Sequence, residues 1–191
     1  MFIQKKKYYL FIENTRDLNL NLIKIRNKFN IIYRNYKTKE KQDDLSIFRN
    51  NCKQKGINFY VSNDTNLMIK LRADGLYISA HNKKLLLNSY SKLGYKIIGS
   101  AHNLKEISIK KKQGCNSIIL SRLFKTNYKT KVGYLGIQRF NLFVLKSEVE
   151  LIPLGGINID NLLAMNVVNC NSFACLSAIK KKPAKLINRL F

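Results

Sequence analysis

The stretch "ELIPLGGINIDN", Glu150–Asn161, sets a short apolar run against two adjacent glycines and then residues able to open a helix. The run from Leu151 to Leu154, with Pro153 inside it, reads as a strand that stops at the glycines. Glycine adopts backbone angles other residues avoid and lets main chain approach a ligand closely. A pair at a strand's end therefore suggests amides presented to an anion. An ordinary tight turn explains the same pair on local grounds. The neighbouring segments bear on the choice.

Outward from this stretch the same unit recurs. "YYLFI" (Tyr8 to Ile12) precedes the helix-like "LNLNLIKIRNKF" (Leu18 to Phe29), and "NIIYR" (Asn30 to Arg34) precedes a polar helical segment from Lys39 to Lys55 that Gly56 terminates. "INFYV" (Ile57 to Val61) leads to a helix over Asp64 to Arg72, "GLYIS" (Gly75 to Ser79) to one over Lys83 to Gly94, and "KIIGS" (Lys96 to Ser100) to one over Asn103 to Gly114. In the last, Asn103 and Glu106 have capping-box spacing. "NSIIL" (Asn116 to Leu120) is followed by a polar loop and a helix over Gly136 to Leu145. The opening stretch leads to a helix over Ile159 to Asn166, and "SFACLS" (Ser172 to Ser177) to one over Pro183 to Phe191.

Eight such units in 191 residues predict a single domain, an α/β chain with its parallel strands closed into a (β/α)8 TIM barrel joined by short loops. A doubly wound open sheet is the alternative, and the glycine-rich turn after a first strand that often marks it is missing from "FIENTRD". In a barrel, the loops after strands seven and eight commonly bind phosphate. Gly155 and Gly156 follow strand seven, and Ser177 and Ala178 follow strand eight, so the glycine pair is expected to form half of a phosphate cup. On that reading Gly156→Val abolishes phosphate binding and leaves the fold intact.

A composition of 46% hydrophobic residues suits one sizeable core. Nothing near Lys5–Lys7 resembles a secretory signal and no apolar segment is long enough to span a bilayer, so a cytoplasmic protein without a membrane partner is expected. Cys52, Cys115, Cys170 and Cys175 form no C-x-x-C pair and, with only His81 and His102 available, no zinc-like spacing; they read as reduced, mostly buried thiols. The 35 Lys and Arg against 11 Asp and Glu give a formal charge of +24, which attracts polyanions. The basic residues are scattered in short runs without an RNA-binding motif, and abundant Lys, Asn and Ile are what an A+T-rich coding sequence produces. Weak, salt-sensitive, non-specific nucleic-acid binding is the expectation.

"IIGSAHNLKE", "LFKTNYK", "LGGINIDN" and "FACLSAI" follow one another in the order and at the spacing of G-x-S-T-H-x-x-x-E, F-x-T-x-T-K, I-G-G-I-x-x-x-N and V-A-V-x-S-A-I. In these motifs, and in "VSNDTNLMIKLRADGLYIS" upstream, the chain resembles the thiamine phosphate synthases and the thiazole tautomerase branch related to them. The resemblance implies an enzyme of thiamine biosynthesis, a transferase that joins hydroxymethylpyrimidine diphosphate to a thiazole phosphate with Mg2+ and releases pyrophosphate. Its partners are then phosphorylated small molecules. Carried over by motif position, Arg34, Ser100 and Lys129 face the pyrophosphate, Thr126 contacts the thiazole substrate, and Gly155, Gly156, Ser177 and Ala178 hold the thiazole phosphate.

The chain also departs from the pattern. Q-x-R-x-K reads "IYRNY", with Ile32 and Tyr36 flanking Arg34, and Tyr128 and Ala101 replace threonines. The metal motif L-G-Q-x-D reads "ISAHN", placing Asn82 where a magnesium carboxylate is expected. The other metal position falls on Asp64 if one residue is deleted in the following helix, and on Asn63 if none is. One carboxylate makes a poor Mg2+ site unless substrate phosphates complete it. Two alternatives follow: a catalytically impaired barrel that keeps the phosphate cup, and a tautomerase-like isomerase, although that branch carries histidine near the strand-six end where this chain has Ser121 and Arg122. A basic nucleic-acid-associated protein is a third.

Overall fold

Each of the eight apolar runs is a strand. The computed structural model describes residues 5–35, 40–126 and 133–176, together with Ile187. The strands are β1 (Lys7–Ile12), β2 (Phe29–Tyr33), β3 (Asn58–Ser62), β4 (Gly75–Ile78), β5 (Lys96–Ala101), β6 (Ser117–Ser121), β7 (Glu150–Leu154) and β8 (Ser172–Cys175). They close a parallel barrel in sequence order, with β8 pairing back onto β1.

Strands buried on both faces need apolar residues at successive positions, and the two faces fill two separate cores. Inside the barrel lie Tyr9, Phe11, Ile32, Tyr60, Tyr77, Ile98, Ile119, Ile152 and Ala174, with every strand contributing. Their out-of-phase neighbours, among them Tyr8, Leu10, Ile31, Phe59, Leu76, Ile118 and Leu151, pack under the surrounding helices. Each fully buried side chain of this size contributes about 1.5–3 kcal/mol relative to exposure.

The outer layer includes α1 (Gln42–Gln54), α2 (Thr65–Lys70), α3 (Asn88–Lys92), α4 (Leu104–Lys112) and α5 (Ile137–Leu145). Asn103 caps α4 by accepting from the Glu106 N–H at 2.9 Å. The Glu106 carboxylate reaches back one residue further than a capping box requires, to the His102 N–H at 2.8 Å.

Two expected helices are shorter structures. Leu18 to Phe29 holds only the 3-10 turn Leu20–Leu22, preceded by another at Thr15–Asp17. Asn14 and Asn19 accept from the N–H groups of Arg16 and Asn21, offering the backbone partners that compete with a helix. Ile159 to Asn166 likewise gives a 3-10 segment, Leu162–Val167, behind an Asn158 side chain that accepts from the N–H groups of Asp160 and Asn161. The segment from Lys83 divides into a 3-10 turn, Leu85–Leu87, and α3. The expected helix over Pro183 to Phe191 lies outside the described residues apart from the buried Ile187. No helix among the described residues is long and apolar enough to cross a membrane.

Candidate active site

At the C-terminal ends of the strands the barrel opens into a cavity of about 410 Å3. Phe11 and Tyr77 border it, their rings edge to face at 5.3 Å. Parallel strands aim every following loop at this end, so residues distant in sequence converge there. Arg34 comes from the end of β2, Ser100 from β5, Thr126 from the segment after β6, and Gly155 and Gly156 from the segment after β7. These five sequence-derived candidates all line the one cavity. Lys129, Ser177 and Ala178 lie outside the described residues.

The glycine pair has a structural cause beside any ligand. Gly155 and Gly156 have φ of 102° and 71°. A Cβ on Gly156 would stand 2.6 Å from the Lys125 carbonyl oxygen and 2.7 Å from Phe124 Cβ. The segments after β6 and β7 are also stitched together, the Leu123 N–H donating to Leu154 O at 2.9 Å and the Phe124 N–H to Gly155 O at 3.0 Å. The sequence-based expectation that Gly156→Val spares the fold is therefore corrected: the position is open toward the cavity but closed toward the neighbouring segment.

Some lining residues were not assigned from sequence. Arg122, at the end of β6, donates from Nη1 to Thr126 Oγ1 at 2.8 Å and packs against Gly155. Glu13 follows β1, and the exposed His81 follows β4; both border the cavity. Their signal was position: each stands just beyond a strand, on the face where this fold gathers its functional groups. The His81 and His102 rings approach to 6.5 Å.

The His102 ring Nδ1 lies 3.0 Å from Glu106 Oε2. Burial pushes the Glu106 carboxyl up, but the main-chain and ring groups of His102 and the Asn103 amide together outweigh it and hold the pKa below its ordinary value. The carboxylate contributes stability above its unfolded-state value, near 4.5, and loses it as the pH falls through the lower folded one. Glu106→Gln should accordingly flatten the acid limb of stability in denaturant titrations from about pH 6 to about pH 3.

The expected metal positions are occupied differently. Asp64 is absent from the cavity lining and caps α2, its Oδ1 accepting from the Leu67 N–H at 2.9 Å. Asn82 donates from Nδ2 to Asn63 Oδ1 at 3.1 Å, and its own Oδ1 accepts from the Lys84 N–H at 3.0 Å. The two amides are thus engaged with each other and with Ser79 and Lys84, and no cluster of three or more His, Cys, Asp or Glu able to hold a metal occurs among the described residues. These groups do not fit a protein-held Mg2+.

A sequence model described as thiamine monophosphate synthase matches residues 4–179. The chain belongs to that family. Among its relatives, the thiamine-phosphate synthase of Prochlorococcus marinus is 32% identical over 152 residues, which are 75% of this chain and 43% of that protein. The thiamine-phosphate synthase of Lactococcus lactis subsp. cremoris is 26% identical over 166 residues, 79% of this chain and 74% of the relative. The chain thus spans less than half the length of the first relative and about three quarters of the second. The solved thiamine phosphate pyrophosphorylase from Pyrococcus furiosus superposes with a TM-score of 0.75 at 17% identity, covering 98% of this chain and 94% of that one. That match shows the barrel fold. A 4-hydroxy-2-oxoglutarate aldolase structure with a TM-score of 0.63 at 13% identity shows how widely the barrel is shared.

Proposed function

We propose that the chain, as a single domain over residues 1–191, acts as a thiamine-phosphate synthase, joining hydroxymethylpyrimidine diphosphate to a thiazole phosphate and releasing pyrophosphate. The observation that carries this reading is one cavity lined together by Arg34, Ser100, Thr126, Gly155 and Gly156, which the barrel brings from the ends of β2 and β5 and from the segments after β6 and β7. The reaction needs two anion-binding regions, one for the departing diphosphate and one for the phosphate of the acceptor. In this assignment Arg34, Ser100 and Lys129 receive the charge that develops on the leaving pyrophosphate. The Gly155 and Gly156 main chain, with Ser177 and Ala178, holds the thiazole phosphate beside Thr126. Phe11 and Tyr77 give the intervening space an apolar border that strengthens those electrostatic contacts. Mg2+ would enter with the diphosphate rather than in a protein cage. Phosphorylated small molecules are the partners of this reading, with nucleic acid bound only weakly and in a salt-dependent way.

The paired amides of Asn63 and Asn82 favour a second reading, a barrel that binds phosphorylated ligands without turnover. Purified protein mixed with both substrates, with and without Mg2+, separates the two. Release of pyrophosphate together with thiamine phosphate supports the synthase. Calorimetric binding of both substrates with no product after prolonged incubation would replace it with the binder.

A further inference from the structure

Lys110, on α4, is fully buried. Its Nζ donates to the carbonyl oxygens of Ser79 at 2.8 Å and Asn82 at 2.7 Å, and to Gln113 Oε1 at 2.8 Å. A neutral amine carries two N–H donors, so three oxygen acceptors at these distances call for the ammonium form. Gln113 adds donations from Nε2 to Asn82 O at 3.1 Å and Lys84 O at 3.0 Å. Together Lys110 and Gln113, the residue that closes α4, grip three carbonyls of the turn after β4. Room for the lysine stem comes from Gly99 on β5, where a Cβ would lie 2.9 Å from Lys110 Cγ.

A sealed ammonium is costly unless its hydrogen bonds offset the lost hydration. Burial lowers the Lys110 pKa, and the Glu106 carboxylate acts against that fall. The turn it holds places Ser79, Ala80 and His81 on the cavity wall and carries Asn82, where the family pattern expects a carboxylate. A positive charge already bonded to the Asn82 carbonyl also repels a second cation at the same turn.

We propose that the Lys110 ammonium shapes the turn after β4 in place of a divalent ion, so that the diphosphate-facing wall of the cavity is set without metal. Lys110 is then a positioning residue, acting through Ser79–Asn82. The identity of the ligand rests on the synthase reading; the metal-independence of the turn does not.

Hydrogen exchange followed by mass spectrometry reads the turn directly. In the native protein, protection of residues 79–84 should be the same in EDTA and in MgCl2. In Lys110→Met that protection should fall while the strands keep theirs. Affinity for inorganic pyrophosphate, measured by calorimetry, should weaken by about ten-fold or more, and affinity for a thiazole phosphate by less than about two-fold. Gln113→Leu should give a smaller change of the same pattern and decides the matter if Lys110→Met does not fold. Protection of the turn by Mg2+ alone would overturn the proposal. So would exchange rising throughout the barrel, or unchanged pyrophosphate affinity over a loosened turn. Absence of pyrophosphate binding in the native protein would remove the ligand half and count against the synthase reading, with the exchange result still deciding the turn.

Discussion

Gly156→Ala should lose about 3 kcal/mol of folding stability before any ligand is added. The argument needs only the first carbon of a side chain. That atom would lie 2.6 Å from the Lys125 carbonyl oxygen and 2.8 Å from the Phe124 carbonyl carbon, both backbone atoms of a segment tied to β7 by hydrogen bonds. Neither can move without breaking those ties. A φ of 71° adds strain of its own. Gly94→Ala is the internal control, because Gly94 has a φ of 86° and nothing within 4 Å of the added carbon. It should cost about 1 kcal/mol, the conformational term alone. Urea titrations of the two variants separate backbone strain from collision. Equal losses would mean that the segments after β6 and β7 are free to part, and the glycine would then return to a purely ligand-related role.

Arg34→Ala should reduce kcat/KM of the proposed synthase reaction by about a hundred-fold or more, with a much smaller change in Tm. Arg34 is half-buried at the cavity rim, and its main chain is held by donation from its N–H to Ile12 O at 2.8 Å, which the substitution leaves in place. What is removed is a guanidinium suited to a diphosphate, with several donors in one plane and a permanent charge. Steady-state rates at saturating thiazole phosphate, beside a thermal melt, test the pair of expectations. Activity within about three-fold of the native protein would place the leaving-group contacts elsewhere on the rim.

The barrel was legible because its strands are apolar on both faces and bounded by polar segments, a pattern that survives without long-range information. "YYLFI" and "KIIGS" needed nothing further. The connections were less so. Asn14, Asn19 and Asn158 turn their side chains onto nearby backbone donors, and apolar spacing alone does not weigh that competition. At the site, Arg34, Ser100, Thr126 and the glycine pair could be placed because a strand end fixes where a residue goes. The same rule reaches Arg122 but not the partner of its side chain, and it does not reach Lys110. The hydrogen bond from Arg122 to Thr126 depends on side-chain direction, and Lys110 reads in sequence as one member of the run Lys110–Lys112, although it is fully buried beside two exposed lysines.

The stitching between the segments after β6 and β7 also constrains how such a chain can diverge. Because the first side-chain carbon at position 156 and the main chain at positions 124 and 125 compete for one space, neither can change alone. Descendants that replace this glycine should carry a compensating deletion or rerouting after β6, and aligned relatives should show the two places varying as a pair. A drift toward a new acceptor substrate would then proceed through paired steps at this junction.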